Sequence, residues 1–271
     1  MVNLSAALEV ATATHSGMVR SHNEDSIAAD AEIGLAVLAD GMGGYNAGEV
    51  ASGIAVAMIS AEMKKTLGGE SGKIPDGGAK SLISEHAIKA NLAIYQAAQS
   101  QSQYSGMGTT LVVALWHDNQ MTVGHIGDSR LYRLRDDAFE QVTRDHSLLQ
   151  EQIDSGMITR EQARFSQNKN LVTRAVGIDT EVETEVHTYP VLPGDLYLLC
   201  SDGLSDMVPG EDIQLTLSSL QANLPLAAEQ LVQQANDNGG RDNISVILVR
   251  VVKDFPAPRA GWLETLKAWF R

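Results

Sequence analysis

Residues 109–143 read TTLVVALWHDNQMTVGHIGDSRLYRLRDDAFEQVT. Four short runs, TTLVVALW, QMTVGHIG, RLYRLR and FEQVT, are apolar, β-branched or aromatic, and only HDN, DS and DDA separate them. Strands joined by turns this tight pair antiparallel. Toward the N-terminus, residues 6–14 have strand character, the polar HSGMVRSHNEDS reads as a loop, and IGLAVLA (33–39) reads as a buried strand ended by DGMGG. Helical patterns follow at about 48–67 and 79–101, with a glycine-rich loop at 68–78 between them. Toward the C-terminus come a polar helical stretch (146–166), strands in TEVHTYPV and DLYLLCS, helices at 210–219 and 225–238, and a last strand at 243–252. The order lacks the regular βαβα alternation of a parallel sheet. It predicts an α+β fold in which antiparallel sheets pack together and helices cover the outside.

The chain has 271 residues, 44% of them hydrophobic, enough for a substantial core. Its formal net charge of −14 argues against nucleic-acid partners, since no surplus of cations exists to displace counterions from a phosphate backbone. The N-terminal MVNLSAALEVATATHSG has neither a cationic start nor a long apolar core, so no signal peptide is expected. No apolar run reaches the length of a membrane span, and Cys200 is the single cysteine. These readings place the chain in the cytoplasm.

Aspartates beside glycine or asparagine sit where apolar runs end: Asp40-Gly41, Asp128, Asp202-Gly203 and Asp242-Asn243. Any one Asp-Gly is ordinarily a turn. Four of them at strand ends place carboxylates where desolvation is costly, and divalent metal ions are the simplest shared partner. Hard ions such as Mg²⁺ and Mn²⁺ take oxygen ligands, and glycine exposes a carbonyl to close approach.

The ordered set RSHNEDS, ADGMGG, GMGTT, GDSRLYR, RDHS, VTRAVG, CSDGL and GGRDNISVI, running from about 10 to 252, resembles the metal-dependent serine/threonine protein phosphatases of type 2C, the PPM family, in their compact bacterial form. The resemblance implies a four-layer αββα sandwich, two antiparallel sheets flanked by helix pairs, with a catalytic domain over 1–252 and a flap at about 147–170. It implies a centre of two Mn²⁺ or Mg²⁺ ions and a weaker third. By position, Asp40 bridges two ions, Asp202 and Asp242 hold one, and Glu24 and the Gly41 carbonyl hold the other. Asp25 acts through water, Asp128 serves the third ion, and Arg20 grips the substrate phosphate. The implied activity is hydrolysis of phosphoserine and phosphothreonine by a hydroxide bridging the metals. Phosphorylated proteins and a cognate serine/threonine kinase are the implied partners. A phosphoprotein-binding pseudophosphatase or regulatory module of the same fold is the competing reading, disfavoured because no ligand position is missing.

Three further readings concern individual residues. Eukaryotic members carry a histidine just after the Asp-Gly pair, where this chain has Met42, so the proton donor is expected to be water or another residue; His15, His22, His125 and His146 are read as structural or supporting. Cys200 is read as a buried strand residue, because a thiolate phosphatase needs an arginine where this chain has Asp206. The GMGG stretch lacks the lysine of a nucleotide-binding P-loop. Residues 253–271 form a proline-containing spacer, then a short amphipathic helix with Trp262, Leu263, Leu266, Trp269 and Phe270 on one face. That helix either docks on its own domain or contacts a partner.

Overall fold

Side chains along each central strand alternate between two apolar surroundings, so the central strands of this chain bury both faces. The computed structural model describes residues 3–44, 46–68, 74, 78–163 and 171–256. Strands, in chain order, are β1 (Leu8–His15), β2 (Asp25–Asp30), β3 (Leu35–Met42), β4 (Gly108–Thr109), β5 (Leu111–His117), β6 (Gln120–Ile126), β7 (Arg130–Arg135), β8 (Ala138–Gln141), β9 (Glu185–Pro190), β10 (Leu196–Cys200) and β11 (Ile244–Val251). Helices are α1 (Ala47–Leu67), α2 (Gly78–Ser100), α3 (Leu148–Asp154), α4 (Arg160–Ala163), α5 (Asp202–Ser205), α6 (Gly210–Leu220) and α7 (Leu224–Asp237).

One sheet runs β1-β11-β10-β7-β8 and the other β2-β3-β5-β6-β9, with β4 paired to β3. Every pairing is antiparallel. Between the sheets lie Leu38, Val112, Trp116, Leu131, Tyr197, Leu199 and Ile247, with Trp116 and Tyr197 edge to face at 5.5 Å. The alternate residues Val37, Ala39, Val113 and Leu115 pack under α1 and α2 through Ala55, Ile59, Ile83 and Ile94. On the other side, Leu198, Cys200, Val246 and Leu248 meet Ile213, Leu217 and Leu231 of α6 and α7. The expected four-layer sandwich is therefore the observed one.

Three local expectations are corrected. The polar loop is expected to run through Ser26 with no strand between it and residue 33, yet Asp25–Asp30 forms β2 on the edge of its sheet. An edge strand that is mostly half-buried and bounded by aspartates leaves no apolar periodicity to read. The helical stretch 146–166 is two short helices, parted where Gly156 takes φ +73°. Asp202–Ser205, expected as a turn after the strand DLYLLCS, is a single helical turn. Of the expected flap, residues 164–170 lie outside the described residues, as does the expected C-terminal helix. Phe255, in the spacer before it, is buried between the sheets.

Candidate active site

Antiparallel pairing brings alternate strand starts and strand ends to one edge of the sandwich. There β2 begins at Asp25 in register with Asp40 near the end of β3. On the facing sheet β10 ends at Cys200, just before Asp202, and β11 begins just after Asp242-Asn243. Asp128 lies in the turn from β6 to β7.

Uncharged side chains fix these carboxylates. Asp40 N–H donates to Thr110 Oγ1 at 3.0 Å, and Thr109 Oγ1 donates to the Asp40 carbonyl at 2.8 Å. Thr110 also meets Ser129 at 2.7 Å, which ties Asp40 to the neighbour of Asp128. Ser201 Oγ donates to Asp25 Oδ2 at 2.8 Å and accepts from Ser245 N–H at 3.0 Å. Asn243, almost fully buried, accepts from Glu24 N–H at 2.7 Å and donates to the Ser16 and His22 carbonyls, so it pins the loop that carries Arg20 and Glu24 onto β11. Backbones also approach closely. A Cβ on Gly41 would lie 2.1 Å from the Gly48 carbonyl oxygen, and one on Gly203 would lie 1.9 Å from that of Asn243.

Arg20, Glu24, Asp25, Asp40, Asp128, Asp202 and Asp242 are thus gathered at one edge. Burial pushes Asp40 well above the usual carboxylate range, and Asp25, Asp202, Asp128 and Asp242 add to it by repulsion. Asp202 is raised likewise, by burial and then by Asp128, Asp206, Asp242 and Asp25. Burial takes Asp25 and Asp128 up to about 6, and it raises Glu24 as well. Among the described residues the guanidinium bonded into the cluster is that of Arg20, whose Nη2 donates to Asp242 Oδ2 at 2.6 Å while half of the side chain stays exposed. Glu24 Oε1 and Asp25 Oδ1 are buried and meet no donor. Clustered carboxylates with orphaned oxygens suit a divalent cation: the donors are hard oxygens, and the charge they share is unpaid by the protein.

A groove of about 810 Å³ leads away from this edge, lined by Asp128, Arg130, Asp202 and Asp206 on one side and by Leu149 and Ile153 of α3 on another. Arg130 is held in it by a forked pair with Asp145, at 2.6–3.1 Å.

The histidines make their side-chain bonds elsewhere. His15 Nδ1 accepts from Gly17 N–H, His125 meets the Arg144 carbonyl, and His146 meets Gly127 and Glu185. His22 is exposed, and its carbonyl is what Asn243 uses. Met42 pairs with Gly108 across β3 and β4. Cys200 is fully buried, and burial pushes its thiol up to about 12, which removes it as a nucleophile. Asn243, Ser201, Thr109 and Thr110 escape a reading of the sequence, because a lone neutral polar residue announces nothing until register shows what it touches.

A family model described as Protein phosphatase 2C matches residues 15–245. The serine/threonine phosphatase stp of Listeria innocua is 37% identical over 87% of this chain and 93% of its own length. The protein phosphatase PhpP of Streptococcus pneumoniae is 37% identical over 89% of this chain and 97% of its own. A crystal structure of the catalytic domain of the serine/threonine phosphatase PstP with two manganese ions superposes with a TM-score of 0.81, at 37% identity, over 91% of this chain and 99% of that one. Likeness of this extent, over nearly the whole of each relative, makes the chain a member of the protein phosphatase 2C family.

Proposed function

We propose that the chain is a metal-dependent protein phosphatase that hydrolyses phosphoserine and phosphothreonine esters. The observation that carries this reading is the gathering of Glu24, Asp25, Asp40, Asp202 and Asp242 at one sandwich edge, wholly or partly withdrawn from water and close enough to repel one another, with the Arg20 guanidinium beside them. Two Mn²⁺ or Mg²⁺ ions fit that donor set, as the two manganese ions of the PstP structure suggest. Asp40 would bridge them, Asp202 and Asp242 would hold one, and Glu24 with the Gly41 carbonyl would hold the other. Asp128 would serve a weaker third ion. Such ions supply positive charge that lowers the pKa of water and offsets charge on a phosphoryl group.

The protein's own part is orientation. Arg20 leaves Asp242 and grips the phosphate, its planar fork matching a pair of oxygens. Asp25, anchored through one oxygen by Ser201, keeps its other oxygen buried and without a donor, free to orient a water at the centre. Met42 has no exchangeable proton, so the departing seryl or threonyl oxygen is protonated from solvent. The segment around α3, with the groove beside it, forms the flap that meets the protein part of the substrate. Phosphorylated proteins are the substrates and a serine/threonine kinase the opposing enzyme. We place both reactions in the cytoplasm. Among the described residues no helix is long and apolar enough to cross a membrane.

The test is hydrolysis of p-nitrophenyl phosphate and of a phosphothreonine peptide with Mn²⁺, then with a chelator. Turnover that appears with Mn²⁺ and vanishes with chelator is expected. Folded protein that binds the phosphopeptide without turning it over would instead be a binding module.

A further inference from the structure

The turn that carries Asp128 is clasped by a histidine that the chemistry above does not use. His125 on β6, His146 before α3 and Glu185 on β9 bring their ligand atoms within 4.8 Å of one another. Two imidazoles and a carboxylate at that spacing invite comparison with a transition-metal site. The hydrogen bonds decide against it.

His125 Nε2 faces the Arg144 carbonyl at 2.7 Å, an acceptor only, so Nε2 carries the proton. His146 Nδ1 faces Gly127 N–H at 3.2 Å, a donor only, so Nδ1 is bare. The His146 proton then sits on Nε2, directed at Glu185 Oε2 3.2 Å away. Burial holds both imidazoles below their ordinary pKa, which favours these neutral forms. A metal on His146 Nε2 would displace that proton and push one onto Nδ1, against an amide N–H.

The same bonds reveal another role. His146 N–H donates to the Gly127 carbonyl at 2.9 Å, so one residue holds both polar groups of Gly127. Stacking on His125, with centroids 4.6 Å apart and planes within 15°, fixes the His146 ring. Gly127 has φ +101°, and a Cβ there would lie 2.7 Å from the Thr110 methyl, so the turn has little room to shift. The next residue is Asp128.

We propose that the His146–Glu185 pair is a positioning device for Asp128: by pinning Gly127 it sets the direction in which the Asp128 carboxylate meets its cation. This rests on the reading of Asp128 as a ligand of the weak third ion. His146 touches neither the ion nor the substrate, and it acts as an outer-shell partner acts on a ligand.

The test is Mn²⁺ binding by calorimetry on the full chain, alongside the Mn²⁺ dependence of turnover. In His146→Ala the weak class of Mn²⁺ sites should lose about tenfold or more in affinity, while the tight class stays as in wild type. The Mn²⁺ concentration for half-maximal turnover should rise in parallel. His146→Asn, whose amide oxygen can accept from Gly127 N–H, should restore most of the weak class; His146→Gln, which reaches toward Glu185 instead, should not. A merely structural role would lower the melting temperature and leave the isotherm alone. Unchanged weak-site binding in His146→Ala overturns the proposal. Should that variant not fold, unchanged weak-site binding in Glu185→Ala overturns it equally. Stoichiometric Zn²⁺ binding that disappears in Glu185→Ala would overturn it by making the trio a metal site. Wild type that binds no Mn²⁺ at all would overturn the whole centre, and this inference with it.

Discussion

Strand β10 carries an aspartate just beyond each end, and the two live in opposite electrostatic worlds. Asp195, before its first residue, is almost fully buried. Burial alone would raise its pKa, but a fork from Arg135 at 2.7 Å to each oxygen, the Leu192 N–H and the Tyr197 hydroxyl bring it below the usual range. Asp202, after the last residue, is raised by burial and by four neighbouring carboxylates. One end is a closed ion pair that the protein completes itself. The other is an excess of negative charge waiting for a cation from outside. Burying a carboxylate therefore says little about its purpose, and what surrounds it says nearly everything.

The sharpest way to break this contrast is to remove each aspartate in turn. Outer-shell partners of a metal are worth roughly ten- to a hundredfold, so loss of a proposed ligand should cost more. Asp202→Asn should lower turnover by more than about a hundredfold while leaving metal-free stability unchanged or higher, because a buried repulsion is relieved. Asp195→Ala should do the reverse. It takes the carboxylate from Arg135, leaving it the Pro190 carbonyl, and strips the Leu192 N–H and the Tyr197 hydroxyl of their acceptor, so it should lose on the order of 3 kcal/mol of stability, with turnover per folded molecule at the wild-type level. Denaturant melts beside turnover measurements read both effects, and a drop in turnover for Asp195→Ala without loss of stability would end the contrast.

The second way is through pH, on metal-free protein. Asp128 titrates near 6 when folded, against an ordinary 3.8. A raised folded pKa stabilises below the unfolded value, and that contribution is lost as pH rises through the folded one. From pH 4 to 7 the loss is roughly 2 kcal/mol for Asp128. Buried His86, His125 and His146 and half-buried His117, held low by desolvation, push the total the other way. The clean quantity is therefore the difference between Asp128→Asn and wild type, measured by urea unfolding in chelator. The variant should gain on wild type by up to that amount as pH rises from 4 to 7, and saturating Mn²⁺ should shrink the gain, since bound ions favour the ionised carboxylate. A difference that stays flat with pH would show that burial does not disfavour the ionised Asp128.

Legibility of the sequence followed burial. β5, β6, β10 and β11 bury both faces and read as runs rich in apolar and β-branched residues, and α1, α2, α6 and α7 are long enough to show their patterns. β2 was invisible because an edge strand gains its place from pairing with β3, not from its own side chains. The same pairing explains Asp25: alone it is one acid in a polar loop, but register sets it opposite Asp40. Aspartates at strand ends were legible because a charge beside an apolar run is an anomaly. Asn243 and Ser201 hold as many bonds, yet they carry no charge to betray them.

Arg20 supplies the finest test, since its bond to Asp242 looks on paper like that of Arg135 to Asp195. Both are guanidinium–carboxylate pairs at 2.6–2.7 Å. The difference is water: Asp195 is 1% exposed in its side chain and Asp242 29%, with Arg20 itself at 51%. Solvent screens the Arg20 pair, so Arg20→Ala should cost no more than about 1 kcal/mol of stability. Its effect belongs on the substrate, where kcat/KM should fall roughly tenfold or more as the fork to phosphate is lost. Arg20→Lys should recover only part of that, because it restores charge without the planar pair of donors. Unchanged kcat/KM in Arg20→Ala, or a stability loss as large as that of Asp195→Ala, would mean that the guanidinium is a structural brace for Asp242 and that phosphate is held by something else.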